Sequence, residues 1–182
     1  MNLFLWGALP YIAFTFLIVG TLVRFFYFER NWTTKSSEFL EKKQLRIANP
    51  LFHFGLLCVI GGHVVGVLIP KTWTATIGIN DHMYHEGALY MGAVAGIIFI
   101  VGFLLLMKRR FTVPAMKVNT SGLDKWLYLF LTLAIFSGMA GTLLNASGFF
   151  DYRVSIGPWF RSLISFMPDP SLMEGVPFMF KF

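Results

Sequence analysis

Residues 49–66 read NPLFHFGLLCVIGGHVVG, an apolar stretch that contains His53, His63 and four glycines. A histidine inside a bilayer needs a partner, and that partner usually reveals a function. Ten residues of α-helix rise about 15 Å and turn the second imidazole roughly 80° away from the first. This spacing is too long for one metal ion. It favours two separate sites stacked along one membrane helix.

The glycines around the two imidazoles indicate what those sites hold. Positions without a side chain let a large flat ligand approach the helix backbone, and a neutral imidazole is a common axial ligand of haem iron. The pattern therefore predicts a cytochrome b helix that gives one ligand to each of two haems, with Gly55, Gly62 and Gly66 beside them. The alternative is that both histidines hydrogen-bond to neighbouring helices and hold no cofactor.

The composition indicates an integral membrane protein. Of the 182 residues, 56% are hydrophobic and 13% are charged, whereas a soluble domain carries about 25% charged residues. The single cysteine, Cys58, excludes an internal disulfide. The net charge of +6 does not indicate nucleic-acid binding, because the basic residues cluster in two short loops between apolar stretches. That pattern concerns membrane orientation instead.

Four apolar stretches are long enough to cross a hydrocarbon core about 30 Å thick. We therefore expect one all-α membrane domain over residues 1–182, with four antiparallel helices at about residues 3–28, 50–69, 87–107 and 126–146. Residues 149–175 are predicted to form an outer segment with a short interfacial helix. The apolar run 176–182 is predicted to be the start of a fifth span.

The loop charges predict the orientation. Eleven of the 15 Lys and Arg residues lie in or beside the segments that join the first span to the second and the third to the fourth. Positively charged loops stay in the cytoplasm, so the N-terminus is predicted to lie outside a bacterial cell membrane. His53 is then nearer the cytoplasm and His63 nearer the outer face.

Several segments resemble the gamma subunit family of respiratory nitrate reductase, and the likeness is greatest to Bacillus-type members. The strongest match is Leu51-Phe52-His53 with Gly62-His63 in the second span. Further matches lie at residues 32–38, 49–70, 108–110, 151–161 and 167–174. The resemblance covers essentially the whole chain.

This resemblance implies a five-helix subunit with two b-type haems. His53 matches the second-helix ligand of the haem nearer the cytoplasm, and His63 matches that of the haem nearer the outer face. The opposing ligands are expected on the fifth helix. The family oxidises quinol, here menaquinol or a related quinol, at the outer side and passes the electrons inward.

The expected partners of such a subunit, besides membrane lipid, are an iron–sulfur beta subunit and a molybdenum-containing alpha subunit on the cytoplasmic side. Because nitrate is reduced in the alpha subunit, no residue of this chain is expected to contact nitrate.

The outer loop before the third span, residues 80–86, carries the candidate quinol-site residues. Tyr84, His85 and Glu86 occupy the position where the family places polar quinol-site groups. Histidine titrates near neutral pH and can carry a proton outward. The lysine found there in some members is missing, which leaves the proton acceptor open. The alternative is that these side chains are solvated loop residues.

Two other functions fit the same pattern. One is a quinol-oxidising cytochrome b anchor of a different respiratory complex. The other is a scaffold or transporter without haem, whose histidines form hydrogen bonds between helices. A reduced-minus-oxidised absorption spectrum separates this last function from the other two.

Overall fold

A computed structural model describes residues 2–27, 39–148, 151–177 and 181. Parts of several predicted segments lie outside these residues: position 28 of the first span, the matching segment 32–38, residues 149–150 of the outer segment, and 178–180 and 182 of the predicted fifth span. The described chain is helical and contains no strand. In chain order, its α-helices are α1 (Leu9–Tyr27), α2 (Leu45–Leu68), α3 (Lys71–Thr76), α4 (Asp81–Thr112), α5 (Pro114–Val118), α6 (Gly122–Ala146) and α7 (Ile156–Ile164).

Four of these helices are long and apolar enough to cross a membrane, which confirms the predicted all-α membrane fold. They are Phe4–Tyr27, Leu45–Leu68, Asp81–Thr112 and Gly122–Ala146. The first begins with a π-helical stretch, Phe4–Ala8, that continues directly into α1. Neither α1 nor α6 has a buried residue within the described chain. Large apolar side chains on a spanning helix suit contact with lipid tails.

The prediction of an outer loop at residues 80–86 is wrong, because these residues cap and begin α4. The Asn80 side chain accepts a hydrogen bond from the backbone N–H of Met83 (2.8 Å), and Asp81 places a negative charge in the first turn. Both features stabilise a helix N-terminus. Hydropathy marks only the part of a helix that lipid covers, so it missed this polar beginning.

Helices α2 and α4 make the most extensive helix–helix contact in the described chain. A Cβ atom added at Gly55 would lie 2.6 Å from the Cα of Phe99, and one added at Gly102 would lie 2.6 Å from the Cα of Phe52. The two glycines therefore let the backbones approach closely at two levels of the same crossing. Small residues serve this purpose where membrane helices pack.

The outer segment folds back over the ends of α1 and α2. Helix α7 packs against α2 and against the 3₁₀-helix Pro170–Met173. Trp6, Met173 and Val176 form a buried apolar cluster there. The Trp159 indole packs edge-on against that of Trp6, and its N–H donates to the Trp6 carbonyl (2.8 Å).

Replacing Gly102 by Ala should destabilise the α2–α4 crossing by about 1–3 kcal/mol, because the new methyl group meets backbone atoms that cannot move aside. The measurement is thermal unfolding of the purified protein in detergent. Gly92→Ala is the matched control on the same helix, since a Cβ added at Gly92 meets no described atom within 4 Å. Equal melting temperatures for the two variants would contradict the close crossing.

Candidate functional site

The two imidazoles on α2 are exposed and have the same local geometry. In each ring Nδ1 lies within hydrogen-bond distance of the carbonyl one turn earlier on the helix: Asn49 for His53 (2.9 Å) and Val59 for His63 (2.8 Å). A carbonyl oxygen only accepts, so Nδ1 must be the protonated nitrogen in each ring. In a neutral imidazole the lone pair then lies on Nε2. Each ring therefore offers Nε2 as a ligand atom.

The glycines near these rings have different surroundings. Phe99 of α4 occupies the space beside Gly55. Tyr152 occupies the space beside Gly66, and its hydroxyl lies 3.0 Å from the position of a Cβ added there. Gly62 meets no described atom within 4 Å. Only Gly62, of the three predicted cofactor-contact glycines, therefore lies beside open space. The open space next to His63 is compatible with a flat ligand on that side.

The described residues contain no group of three or more His, Cys, Asp or Glu side chains that could hold a metal ion. A metal bound at His53 or His63 would thus take fewer than three such ligands from this part of the chain. A single imidazole per site suits a metal held mainly by its own macrocycle, as in haem. The donor set and the spacing of the two rings fit the predicted cofactor.

A polar cluster lies at the end of the helix bundle that the loop charges predict to be the outer end, where α3 and α4 meet the segment that precedes α7. Its centre is Arg153, which is only 6% exposed. The guanidinium carbon lies 3.6 Å from the centre of the Tyr84 ring. One nitrogen, Nη2, donates to the hydroxyl of Thr74 (3.1 Å). Cation–π contact and hydrogen bonding together compensate for burying this charge.

Lys71 joins the rest of the cluster by ion pairs. Its amino group lies 2.7 Å from a carboxylate oxygen of Asp151 and 3.6 Å from one of Asp81. Burial raises the pKa of Asp151, but hydrogen bonds from Lys71 and from the Arg153 backbone, with both positive charges, outweigh it and leave the pKa lowered. Asp151 therefore remains ionised in this cluster at neutral pH.

The structure separates the three predicted quinol-site residues. Tyr84 and His85 line a small polar cavity at the outer end. Glu86 is not among the residues that line it, and its carboxylate lies 3.9 Å from Nε2 of His82 on the solvent side. The three residues are consecutive in a helix, so they point in different directions.

Arg161 of α7 attaches the outer segment to the end of α2. Its Nη1 donates to the carbonyl of Val67 (2.6 Å), in the last turn of α2. Carbonyls in a last turn have no partner within the helix and attract positive charge. Burial lowers the pKa of Arg161. This contact, with that of Tyr152 on Gly66, fixes the outer end of the helix that carries His63.

The opposite end of the bundle has its own buried ion pair. Arg109 of α4 donates through Nε to a carboxylate oxygen of Glu41 (2.7 Å) and through Nη2 to the Glu41 carbonyl (2.6 Å). The N–H of Gln44 donates to the same carboxylate, and this bond together with Arg109 lowers the pKa of Glu41. The start of α2 is therefore tied to the end of α4.

Sequence reasoning missed most of the outer cluster. Tyr152 and Arg153 were part of a matching segment, but nothing in their local pattern indicated that they meet α4 and α2. The available signal was charge: Arg153 and Arg161 are cations on the side of the chain where few occur. Because these two cations do not contribute to the charge bias that orients the protein in the membrane, they are candidates for a structural or functional contact.

Together, the fold and the site define a helical membrane protein in which one spanning helix presents two separated imidazoles, each with an Nε2 that bonds to no residue in the described part of the chain. The comparisons with known proteins agree with this class. A family model described as the nitrate reductase gamma subunit matches residues 2–182. The chain belongs to this nitrate reductase gamma subunit family.

Relatives in three bacteria support the assignment. The chain is 48% identical over 179 residues to the nitrate reductase gamma chain of Bacillus subtilis, covering 98% of this chain and 80% of that protein. It is 38% identical over 179 residues to the nitrate reductase-like protein NarX of Mycobacterium tuberculosis, covering 97% of this chain and 28% of that protein. It is 27% identical over 183 residues to the respiratory nitrate reductase 1 gamma chain of Escherichia coli, covering 81% of that protein.

Arg161→Met should loosen the outer segment, because it leaves the Val67 carbonyl without its charged donor. Hydrogen bonds to charged groups contribute about 1.5–3 kcal/mol. We expect faster limited proteolysis within residues 151–169 and a lower melting temperature. Arg46→Met, at an exposed position near the other end of α2, is the control and should behave like the wild type. Unchanged proteolysis of the Arg161 variant would show that the contact does not hold the segment.

Proposed function

We infer that this chain is the membrane cytochrome b subunit of a respiratory nitrate reductase, which oxidises quinol at its outer end and sends the electrons inward. His53 and His63 would each hold one b-type haem, and each bound haem would supply a one-electron carrier. Family membership supports the first part of this proposal. The second part rests on the geometry of the two imidazoles.

The shared hydrogen-bond pattern of the imidazoles is the observation that carries the proposal. An imidazole that serves as a metal ligand usually donates its other N–H to a carbonyl or carboxylate, which fixes the tautomer and the ring orientation. His53 and His63 both have such a bond, to Asn49 and Val59. A histidine that only joins two helices would form its hydrogen bond with a residue of the adjacent helix.

The proposed path of the electrons runs along α2 from one imidazole to the other. The two imidazoles are about 15 Å apart along α2, with His63 nearer the Arg161 end and His53 nearer the Arg109 end. Electrons would enter on the His63 side and leave on the His53 side. The iron–sulfur beta subunit and the molybdenum alpha subunit would then receive them at the Arg109 end.

Quinol would be oxidised beside the His63 site, and menaquinol or a related quinol is the proposed substrate. Tyr84, His85 and Glu86 are proposed as its polar contacts and proton acceptors. Their position at the start of α4, on the same end of the bundle as His63, supports this assignment. His85 is the best-placed base of the three, because it lines the polar cavity and an imidazole nitrogen can accept a proton.

The distribution of charge supports a cytoplasmic location for the Arg109 end. Lys42, Lys43 and Arg46 line an open groove there, and Lys108, Arg109 and Arg110 lie at the end of α4. Such an excess of basic residues stays on the inner side of the membrane. The N-terminus would then be outside, in the bacterial cell membrane.

Removing each imidazole separately should remove a different haem. In membranes containing the assembled reductase, His63→Ala should lose one b-type component of the reduced-minus-oxidised spectrum together with quinol oxidation. His53→Ala should lose the other component and block electron exit. The exposed His82 provides a control, and His82→Ala should keep both components. Loss of the same component in both variants, or a wild type without haem, would refute the two-site proposal.

The orientation can be tested with single cysteines in a Cys58→Ala background. Thr72→Cys, at an exposed position on α3, should react in intact cells with a reagent that cannot cross membranes. Gln44→Cys should react only after permeabilisation. Thr72 is preferred to Thr74, because Thr74 is buried and bonded to Arg153. The opposite labelling pattern would reverse the orientation and the order of the haem sites.

A further inference from the structure

A small polar cavity lies between α3, the start of α4 and the segment before α7. Its volume is about 40 Å³. One water needs about 10–15 Å³ of such space, so about three or four water molecules fit. Sites for cofactor-sized ligands have volumes of roughly 300–1,000 Å³. The cavity is therefore sized for water and not for the head group of a quinol.

The walls of the cavity provide partners for water. They include His85, Asn145, Lys71, Asp81 and Asp151. Arg153 also lines it, and the Nε of this buried side chain has no hydrogen-bond partner among the described residues. A buried donor without a partner costs free energy unless water satisfies it. This atom is a second, independent indication that the cavity is hydrated.

Tyr152 connects this cavity to the helix that carries His63. Tyr152 and Tyr84 both line the cavity, and Tyr84 lies close enough to contribute to the raised pKa of Tyr152. The Tyr152 hydroxyl lies 3.0 Å from the position of a Cβ at Gly66. Residues three apart on a helix share a face, so Tyr152 lies about one turn beyond His63. Glycine favours this contact, because a Cβ at position 66 would require the tyrosine ring to move by a few tenths of an ångström.

The outer wall of the cavity opens to solvent through charged groups. Asp81 and Asp151 have side chains that are 69% and 46% exposed, and Lys71 joins them. Lys71 and Arg153 balance the charges of Asp81 and Asp151. A cluster with no net charge does not hold a proton by electrostatic attraction.

We propose that Tyr152, Tyr84 and the waters of this cavity form the outlet that carries protons from quinol oxidation beside His63 to the outer surface. The proposal rests on the proposed function. Oxidation of one quinol releases two protons and two electrons, and a haem held by His63 would supply the one-electron acceptor for those electrons. Each proton passes to the Tyr152 hydroxyl as that hydroxyl gives its own proton onward to Tyr84 and the water chain.

The Tyr152 hydroxyl would relay protons without ionising. Burial, followed by the nearby Tyr84, raises the pKa of Tyr152 above its ordinary value. The hydroxyl therefore keeps a proton throughout. A relay of this kind fails completely when the oxygen is removed, even if the ring remains.

Tyr152→Phe is the first test, because it keeps the ring against Gly66 and removes only the oxygen. In membranes with the assembled reductase, quinol oxidation should fall on the order of tenfold or more, while both haem components stay unchanged. The ratio of rates in H₂O and D₂O should rise, because proton transfer now limits turnover. A purely structural role would not change this ratio. Tyr128→Phe, a half-buried tyrosine on α6, is the matched control and should leave rate and ratio unchanged.

The second test measures the rate of thiol labelling, which does not depend on haem or turnover. In a Cys58→Ala background, Ala88→Cys places a thiol in the cavity wall, and Leu89→Cys places one at the next position, which does not line the cavity. A small water-soluble thiol reagent added outside should modify Ala88→Cys much faster than Leu89→Cys. The modified Ala88 variant should also lose quinol oxidation.

The outcomes separate this proposal from the proposed function. A wild type that oxidises quinol, with Tyr152→Phe equal to it in rate and isotope ratio, overturns the outlet alone. Slow labelling of Ala88→Cys also overturns it, because the cavity is then dry. A wild type with neither haem nor quinol oxidation overturns both proposals, even where the labelling shows a hydrated cavity.

Discussion

The close crossing of α2 and α4 is the contact on which the rest of the structure depends. The backbone of Phe99 packs against Gly55, and the backbone of Phe52 packs against Gly102. Each helix thus contributes one glycine to the contact, at two different levels. Two backbones that touch have little freedom to slide or rotate. The crossing therefore fixes the rotation of α2 about its own axis. This rotation determines which way His53 and His63 face.

Contacts at both ends of α2 complete this arrangement. At the outer end, Arg161 binds the Val67 carbonyl and Tyr152 fills the space at Gly66. At the inner end, Glu41 accepts bonds from both Gln44 and Arg109. Each end uses a charged group to satisfy backbone atoms that the helix leaves without partners. The helix is thus held at three levels, and its imidazoles remain exposed between them.

The sequence was sufficient for the four spans and the two imidazoles, because both depend on local patterns. Apolar runs of the right length predict membrane helices, and the ten-residue spacing follows from helix geometry alone. The beginning of α4 was missed because its cap is polar, and hydropathy detects only apolar residues. Glycine was also ambiguous. Gly55 and Gly66 were predicted to lie beside a flat cofactor, whereas Phe99 and Tyr152 are their nearest described neighbours.

The outer cluster could not be predicted, because its members are distant in sequence. Arg153 meets Thr74 and Tyr84 only after α4 and α6 have brought the segment back to the same end of the bundle. Hydrophobic periodicity in the sequence does not predict contacts of this kind between distant segments. The ion pair between buried Arg153 and exposed Asp81 also arises only in the folded chain. Neither residue has a local sequence pattern that predicts the pair.

The contrast between the buried arginines Arg109 and Arg153 follows from these contacts. Arg109, at the inner end, is bonded to both the side chain and the carbonyl of Glu41, whose two carboxylate oxygens are each bonded in turn. A closed pair of this kind stabilises the fold. At the outer end the Arg153 Nε remains without a partner among the described residues, beside a cavity of about 40 Å³. Burying an unsatisfied donor is costly, so the fold tolerates it where water has access. Arg109 therefore stabilises one end of the helix bundle, and Arg153 lies where water can reach its unpaired N–H.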